Sequence, residues 1–193
     1  MGADLISYRG TRGVALACAV TAGGFQVRLA ERYGTRLPVP GRDSLLVFRA
    51  GDSAAAAAGW VALPLTGFRQ EIGCDGAPVW GVQVGWGPSG PANAFVPPLP
   101  IRFFEVIQLR AYRQGGQTWL GARSVSSGET LQPVFGPLAA DGFRLEFFGS
   151  DGAPTGIPSE VRSIGLLVRA VGSDTAVGDS LSTRVLLRNA GRP

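Results

Sequence analysis

Histidine and lysine are both absent from this chain of 193 residues; all 18 basic residues are arginine. Without histidine there is no Ser-His-Asp or Cys-His machinery and no imidazole metal ligand. Without lysine there is no Schiff-base chemistry and no ammonium for a phosphate-binding loop. Carboxylate, hydroxyl and thiol chemistry is what remains, so an enzyme is not expected. An arginine-only basic set is what a GC-rich genome produces, and the exclusion holds whatever its origin.

Cysteine is scarce. Cys18 and Cys74 are too far apart for a CxxC motif and too few for zinc. Cys18 lies in the apolar stretch "GVALACAV" and reads as a buried thiol or as one half of a pair. Cys74 lies in "IGCDGAP", a turn, where a free thiol would be exposed and reactive. Pairing removes that liability, so a Cys18–Cys74 disulfide is expected, and with it an oxidising compartment.

Long apolar runs are missing too. "GVALACAV" falls well short of the roughly 20 residues of a helical membrane span. The start, "MGADLISYRG", has neither a basic region nor an apolar one, so it is not expected to act as a signal peptide. The net charge of +4 does not point to nucleic acid, because the arginines are dispersed and form no run. They are expected on solvated strand faces.

Glycine is plentiful (29) and proline moderate (14), both spread along the chain, as many short strands joined by tight turns require. The expected fold is mainly β (β-rich α+β), with two antiparallel sheets and little helix. One domain over 1–193 is expected: a first half of about 1–90, a Pro/Gly-rich crossover over 87–100, and a second half over 101–193.

Local patterns supply the detail. A Gly23-Gly24 loop would set Val20 opposite Val27 and Cys18 opposite Leu29. "DSLLVFRAG" reads as a strand with Leu46 and Phe48 on one face. "SAAAAAG" (Ser53 to Gly59) is the one stretch of strong helix propensity and allows a single turn. In "VWGVQVGW", Trp80, Val82, Val84 and Trp86 share a face, more readily as core than as a sugar-stacking platform. Gly81 and Gly85 on the other side imply a bend or the close approach of another backbone.

The stretch "YRQGGQTWLGAR" reads as a hairpin turning at Gly115-Gly116. That register sets Tyr112 opposite Trp119 as candidate surface aromatics, and places Leu109, Ala111, Leu120 and Ala122 on one apolar face. Asp141-Gly142 and Asp151-Gly152 read as turns.

Glu105, Glu129, Glu146 and Glu160 are the carboxylates from which a glycosidase pair would have to come, but none sits in a recognisable motif. Asp174 and Asp179 in "GSDTAVGDS" lack the spacing of a calcium loop. No catalytic residue, cofactor or metal ligand is assigned.

Residues from about Ile101 to Ala190 carry a resemblance. "FEVIQLRAYRQGGQTWLGARSVSSGE", "PVFGPLAADGFRLEFFGSDGAP", "IPSEVRSIGLLVRAVG" and "DSLSTRVLLRNAG" follow one another as do segments in the soluble heads of type IV filament minor pilins. The J-type pseudopilins of type II secretion and the W-type minor pilins are the nearest in pattern. The earlier "ISYRGTRGVALAC" and "RDSLLVFRAGD" resemble the family's first sheet less specifically.

The resemblance implies a structural part of the cell envelope, periplasmic or extracellular, whose partners are other pilin or pseudopilin subunits. The family's cleavage site and apolar helix have no matching positions before Asp4. Membrane attachment is therefore expected only through such a helix. A secreted β-sandwich binding module, using Trp80 and Trp86 or Tyr112 and Trp119 for a carbohydrate or protein ligand, is the alternative.

Overall fold

A computed structural model describes residues 5–34, 36–50, 59–86, 95–172 and 180–187, apart from the side chains of 30–33. The expected helical turn at 53–59 falls largely outside these residues, and Gly59 itself begins a strand. Asp174 and Asp179 also lie outside them, as does most of the 87–100 crossover.

The described chain is mainly β: β1 (Leu5–Thr21), β2 (Gly24–Gly34), β3 (Ser44–Arg49), β4 (Gly59–Gly73), β5 (Ala77–Val84), β6 (Leu99–Gln114), β7 (Gln117–Ser124), β8 (Gln132–Phe148), β9 (Ser163–Ala170) and β10 (Ser180–Leu186). Two sheets are expected from the sequence. Instead one antiparallel pairing order, β1-β2-β5-β4-β3-β6-β7-β8-β9-β10, takes in all ten strands.

The chain divides into two compact units, one of Arg9–Ile107 with Ser124–Glu129, the other of Met1–Tyr8, Gln108–Arg123 and Thr130–Pro193. The division falls within β6, after Ile107, and not in the Pro/Gly-rich stretch. Each unit has its own cluster of buried apolar side chains.

Strand β1 also pairs with β6, so the run β1-β2-β5-β4-β3-β6 returns on itself. A closed ring of strands leaves no unpaired edge and must fill its interior with side chains. Alternation in the sequence supplies them. Ala15 and Ala17 of β1 point inward while Val14 and Leu16 are exposed. The small alanines leave room for Phe25, Ile101 and Phe103, all fully buried in the same cluster with Val27, Leu45, Val47, Leu65 and Val82. Leu46 and Phe48 do share a face of β3, but it is the outer one; Leu45 and Val47 face the core.

Between β1 and β2 the chain turns at Ala22-Gly23, with Thr21 opposite Gly24 and Val20 opposite Phe25. A turn at Gly23-Gly24, with Val20 facing Val27 and Cys18 facing Leu29, is thereby corrected. The reason lies on the far side of β2. Gly24 pairs with Gln83 of β5, and a Cβ at Gly24 would collide with the carbonyl oxygen of Val82. Gly24 is consumed by strand contact, and the turn moves back one residue.

At Gly81 the close neighbour is the Glu71 carboxylate, and at Gly85 the Pro64 ring, so side chains approach there and not a backbone.

In the second unit the two-residue turn at Gly115-Gly116, with φ of 59° and 78°, joins β6 to β7. Both angles lie in the left-handed region that a tight hairpin requires. Leu120 is buried with Leu138, Phe143, Leu145 and Val168, and Leu109 and Ala111 pack against them.

Asp151-Gly152 does turn the chain, with Gly149 N–H donating to Ala153 O at 2.9 Å. Asp141-Gly142 does not. Strand β8 runs straight through it, and the pairing with β9 shifts between Leu138 and Phe143. The pair forms a bulge, with Asp141 at φ 54° and the Arg169 guanidinium donating to the carbonyls of Ala140 and Asp141, each at 3.3 Å.

Cys18 of β1 is disulfide-bonded to Cys74 in the β4–β5 turn, across a sequence separation of 56 and a Cα–Cα distance of 6.0 Å. Cys74, Asp75 and Gly76 all have positive φ, of 39°, 77° and 78°. Arg28 of β2 holds this turn, donating to both Asp75 carboxylate oxygens at 2.7 and 2.8 Å and to Cys74 O at 3.2 Å. Closing a loop of this length restricts the unfolded chain by about 4 kcal/mol. Replacing both cysteines by alanine is expected to lower unfolding free energy by about that amount, read from urea denaturation of the oxidised protein and the variant.

Candidate functional site

Glu105 is the least expected residue of the core. In "IRFFEVI" it follows Ile101 and Phe103 on the inward face of β6, and it is 1% exposed. A lone carboxylate there would lose its hydration with nothing in return. Three arginines supply the return. Arg12 of β1 pairs with Oε1; Arg36 Nη2 and Arg42 Nε bond Oε2 at 3.0 and 2.6 Å.

Two of these arginines come from the connection between β2 and β3, which a second buried carboxylate organises. Asp43 accepts both Arg36 terminal nitrogens, at 2.5 and 2.8 Å, and the Val39 N–H at 2.7 Å. Pro40-Gly41 provides the turn that brings this about. Gly41 has φ 76°, and Arg42 N–H donates to Val39 O at 3.2 Å, a type II arrangement. Backbone bonds from Gly41 N to Leu65 O (2.9 Å) and from Leu65 N to Asp43 O (3.1 Å) fasten the turn to β4.

Arg42 reaches further, to Glu129 Oε1 at 2.6 Å. Glu129 closes its own loop through Ser124, accepting that N–H on Oε2 at 3.2 Å. Three arginines thus meet three carboxylates, and the formal charges balance.

The arrangement is suited to holding and not to turning over. A glycosidase pair needs a sugar between its carboxyl groups; here a guanidinium stands between Glu105 and Glu129. Glu146 is exposed and pairs with Arg144 at 3.0 Å. Glu160, at a 3-10 turn (Pro158–Glu160), accepts the Thr155 hydroxyl at 3.1 Å. An open depression of about 390 Å³ is lined by Asp151, Thr155, Glu160 and Arg162 among others, and includes neither Glu105 nor Glu129. Among the described residues, no group of three His, Cys, Asp or Glu side chains could hold a metal ion.

The tryptophans fall on two sides. Trp80 stacks on Phe68 at 4.4 Å and 9°, and Trp86 packs against Phe25 and Phe95 while donating its indole N–H to Ala22 O at 2.9 Å. Both lie against the core. Tyr112 and Trp119 are half-buried, Tyr112 lying against Gly121 and Trp119 against Gly136. Trp60 is the exposed one: it meets Phe48 edge-on at 5.6 Å, with Arg102 over its ring at 5.2 Å. Alternation in "GWVALPL" carried that signal, since Leu63 and Leu65 point in and Trp60 therefore lies on the opposite row.

The arginine cluster corrects the expectation of solvated strand faces for Arg36 and Arg42, and sequence reasoning missed it. Its one local sign is a glutamate at an inward position of an apolar strand.

Compared with models of known families, with curated proteins and with solved structures, the chain matches none.

Removing one partner of a buried ion cluster strands the rest, at a cost of about 3–5 kcal/mol. Glu105→Gln is expected to destabilise the protein by that much. Glu129→Gln, on the more exposed arm, should cost under about 1 kcal/mol. Chemical denaturation of the two variants side by side checks the contrast; equal costs would remove Glu105 from its central place.

Proposed function

We propose that this chain is the head of a minor pilin or pseudopilin, a structural and assembly component acting through subunit–subunit contacts at a filament surface or tip. The observation that carries the reading is the adjacency of the segments bearing the resemblance. They supply β6 and β7, then β8, β9 and β10, which pair side by side in chain order. The resemblance therefore covers one continuous run of sheet, not scattered pieces.

Two further observations agree with it. The carboxylates best placed for chemistry, Glu105 and Asp43, are engaged by arginines that brace the fold. The disulfide suits an oxidising compartment such as the periplasm. On this reading the mechanism is surface complementarity, and the partners are other pilin-like subunits in the cell envelope.

The test is titration calorimetry of this chain against the soluble heads of pilin-like proteins encoded beside its gene, with a glycan array in parallel. Binding to one such head with a dissociation constant on the order of micromolar, about −8 kcal/mol, is expected. No binding to any of them, together with saturable binding to one glycan class that is lost in Trp60→Ala, would replace the proposal by the binding-module reading.

A further inference from the structure

Strand β10 ends the pairing order, and every residue from Ser180 to Leu186 is exposed. Its seven pairs with β9 run without a register shift, from Ser180 opposite Arg169 to Leu186 opposite Ser163. Leu187 N–H donates to Arg162 O at 2.8 Å, continuing the same register. In an antiparallel ladder the hydrogen-bonding groups alternate sides. The backbone groups of Leu181, Thr183 and Val185 are therefore spent on β9. Those of Ser182, Arg184 and Leu186 point outward along an edge with which no described strand pairs.

The side chains alternate as well. Leu181, Thr183 and Val185 stand opposite Val168, Leu166 and Ile164, which belong to or pack against the core of this unit. The core face of β9 thus continues onto β10, but there Leu181 is 61% exposed and Val185 54%. On the other face Arg184 stacks over Phe148 at 4.0 Å and donates to Ser163 Oγ at 2.8 Å. The strand has no proline, no bulge and one charge, so it lacks the devices that keep open edges apart.

We propose that β10 pairs antiparallel with β10 of a second copy of this chain, about a two-fold axis through Thr183. The strand is self-complementary in that register. Ser182 meets Arg184 of the other copy with both backbones turned outward, which completes the hydrogen-bonded pairs. Leu181 meets Val185 at the closer, non-hydrogen-bonded positions, where apolar side chains gain most contact. Thr183 meets its own counterpart. Moving the axis to Arg184 would set two guanidiniums face to face, and moving it to Ser182 would set Leu181 against Thr183. One charge per strand, placed one residue from the axis, selects the register. The proposal stands apart from the filament reading, since it concerns two copies of this chain alone.

A seam one strand long is small beside a stable dimer interface, so association is weak, with a dissociation constant on the order of 100 micromolar. The test uses the oxidised full chain, in which Cys18 and Cys74 are already paired. Thr183→Cys and Ser182→Cys variants are exposed to oxidised glutathione, while sedimentation velocity follows the parent chain from roughly 10 to 500 micromolar. Thr183→Cys is expected to form a covalent dimer about tenfold faster than Ser182→Cys, because only position 183 meets itself. Ser182→Pro removes one outward N–H and leaves the β9 side intact. It should weaken association about tenfold with an unchanged circular dichroism spectrum. A parent chain that stays monomeric throughout, as it would if a different protein covered this edge, overturns the proposal. So does equal cross-linking of the two cysteine variants.

Discussion

One buried carboxylate organises much of the first unit. Glu105 sits on β6, Arg12 on β1, and these are the strands whose pairing closes the ring. Arg36 and Arg42 come from the connection that leads into β3, the other neighbour of β6. The ion pairs therefore gather the ring's closing strand, its first strand and an intervening connection at one point. Such a cluster adds little net stability over a well-packed apolar replacement, because desolvation offsets much of the attraction. Its effect is on specificity: each guanidinium is aimed at a particular oxygen, and a register slip on β6 would turn Glu105 outward and leave the arginines unmatched.

The sequence announced the strands well and their exceptions poorly. Period-two alternation identified "VWGVQVGW" and the face of Leu109, Ala111 and Leu120, because burial on one side of a strand imposes that pattern directly. Gly115-Gly116 was legible as a turn because both residues need left-handed backbone and nothing else competes for them. Gly23-Gly24 failed for a reason invisible locally: β5, nearly sixty residues away, needs Gly24 for its own approach. Asp141-Gly142 is the same lesson. The pair fits a turn or a bulge equally, and pairing with β9 decides. The arginine cluster joins positions 12, 36, 42, 43, 105 and 129, and no local window holds more than a fragment of it.

The two units manage strand edges in opposite ways. In the ring the first and last strands pair with each other. The other unit ends in β10, regular and apolar on the face that carries its core. A chain with few charges cannot repel partners from such an edge, so the placement of the single arginine matters more than it would in a highly charged strand. Trp60 and Phe48 are among the apolar side chains left exposed on the outer face of the ring. There Arg102 lies over the Trp60 ring.

The bond between Cys18 and Cys74 also has a mechanical meaning. A chain pulled from its two ends lengthens as strands peel away, but the segment inside a covalent loop cannot lengthen. The 56-residue separation corresponds to roughly 190 Å of contour that tension cannot release. Force entering along β1 would pass at Cys18 directly to the β4–β5 turn, leaving β2, β3 and β4 out of the load path. A chain built this way withholds that length under tension while the disulfide is intact, and releases it on reduction.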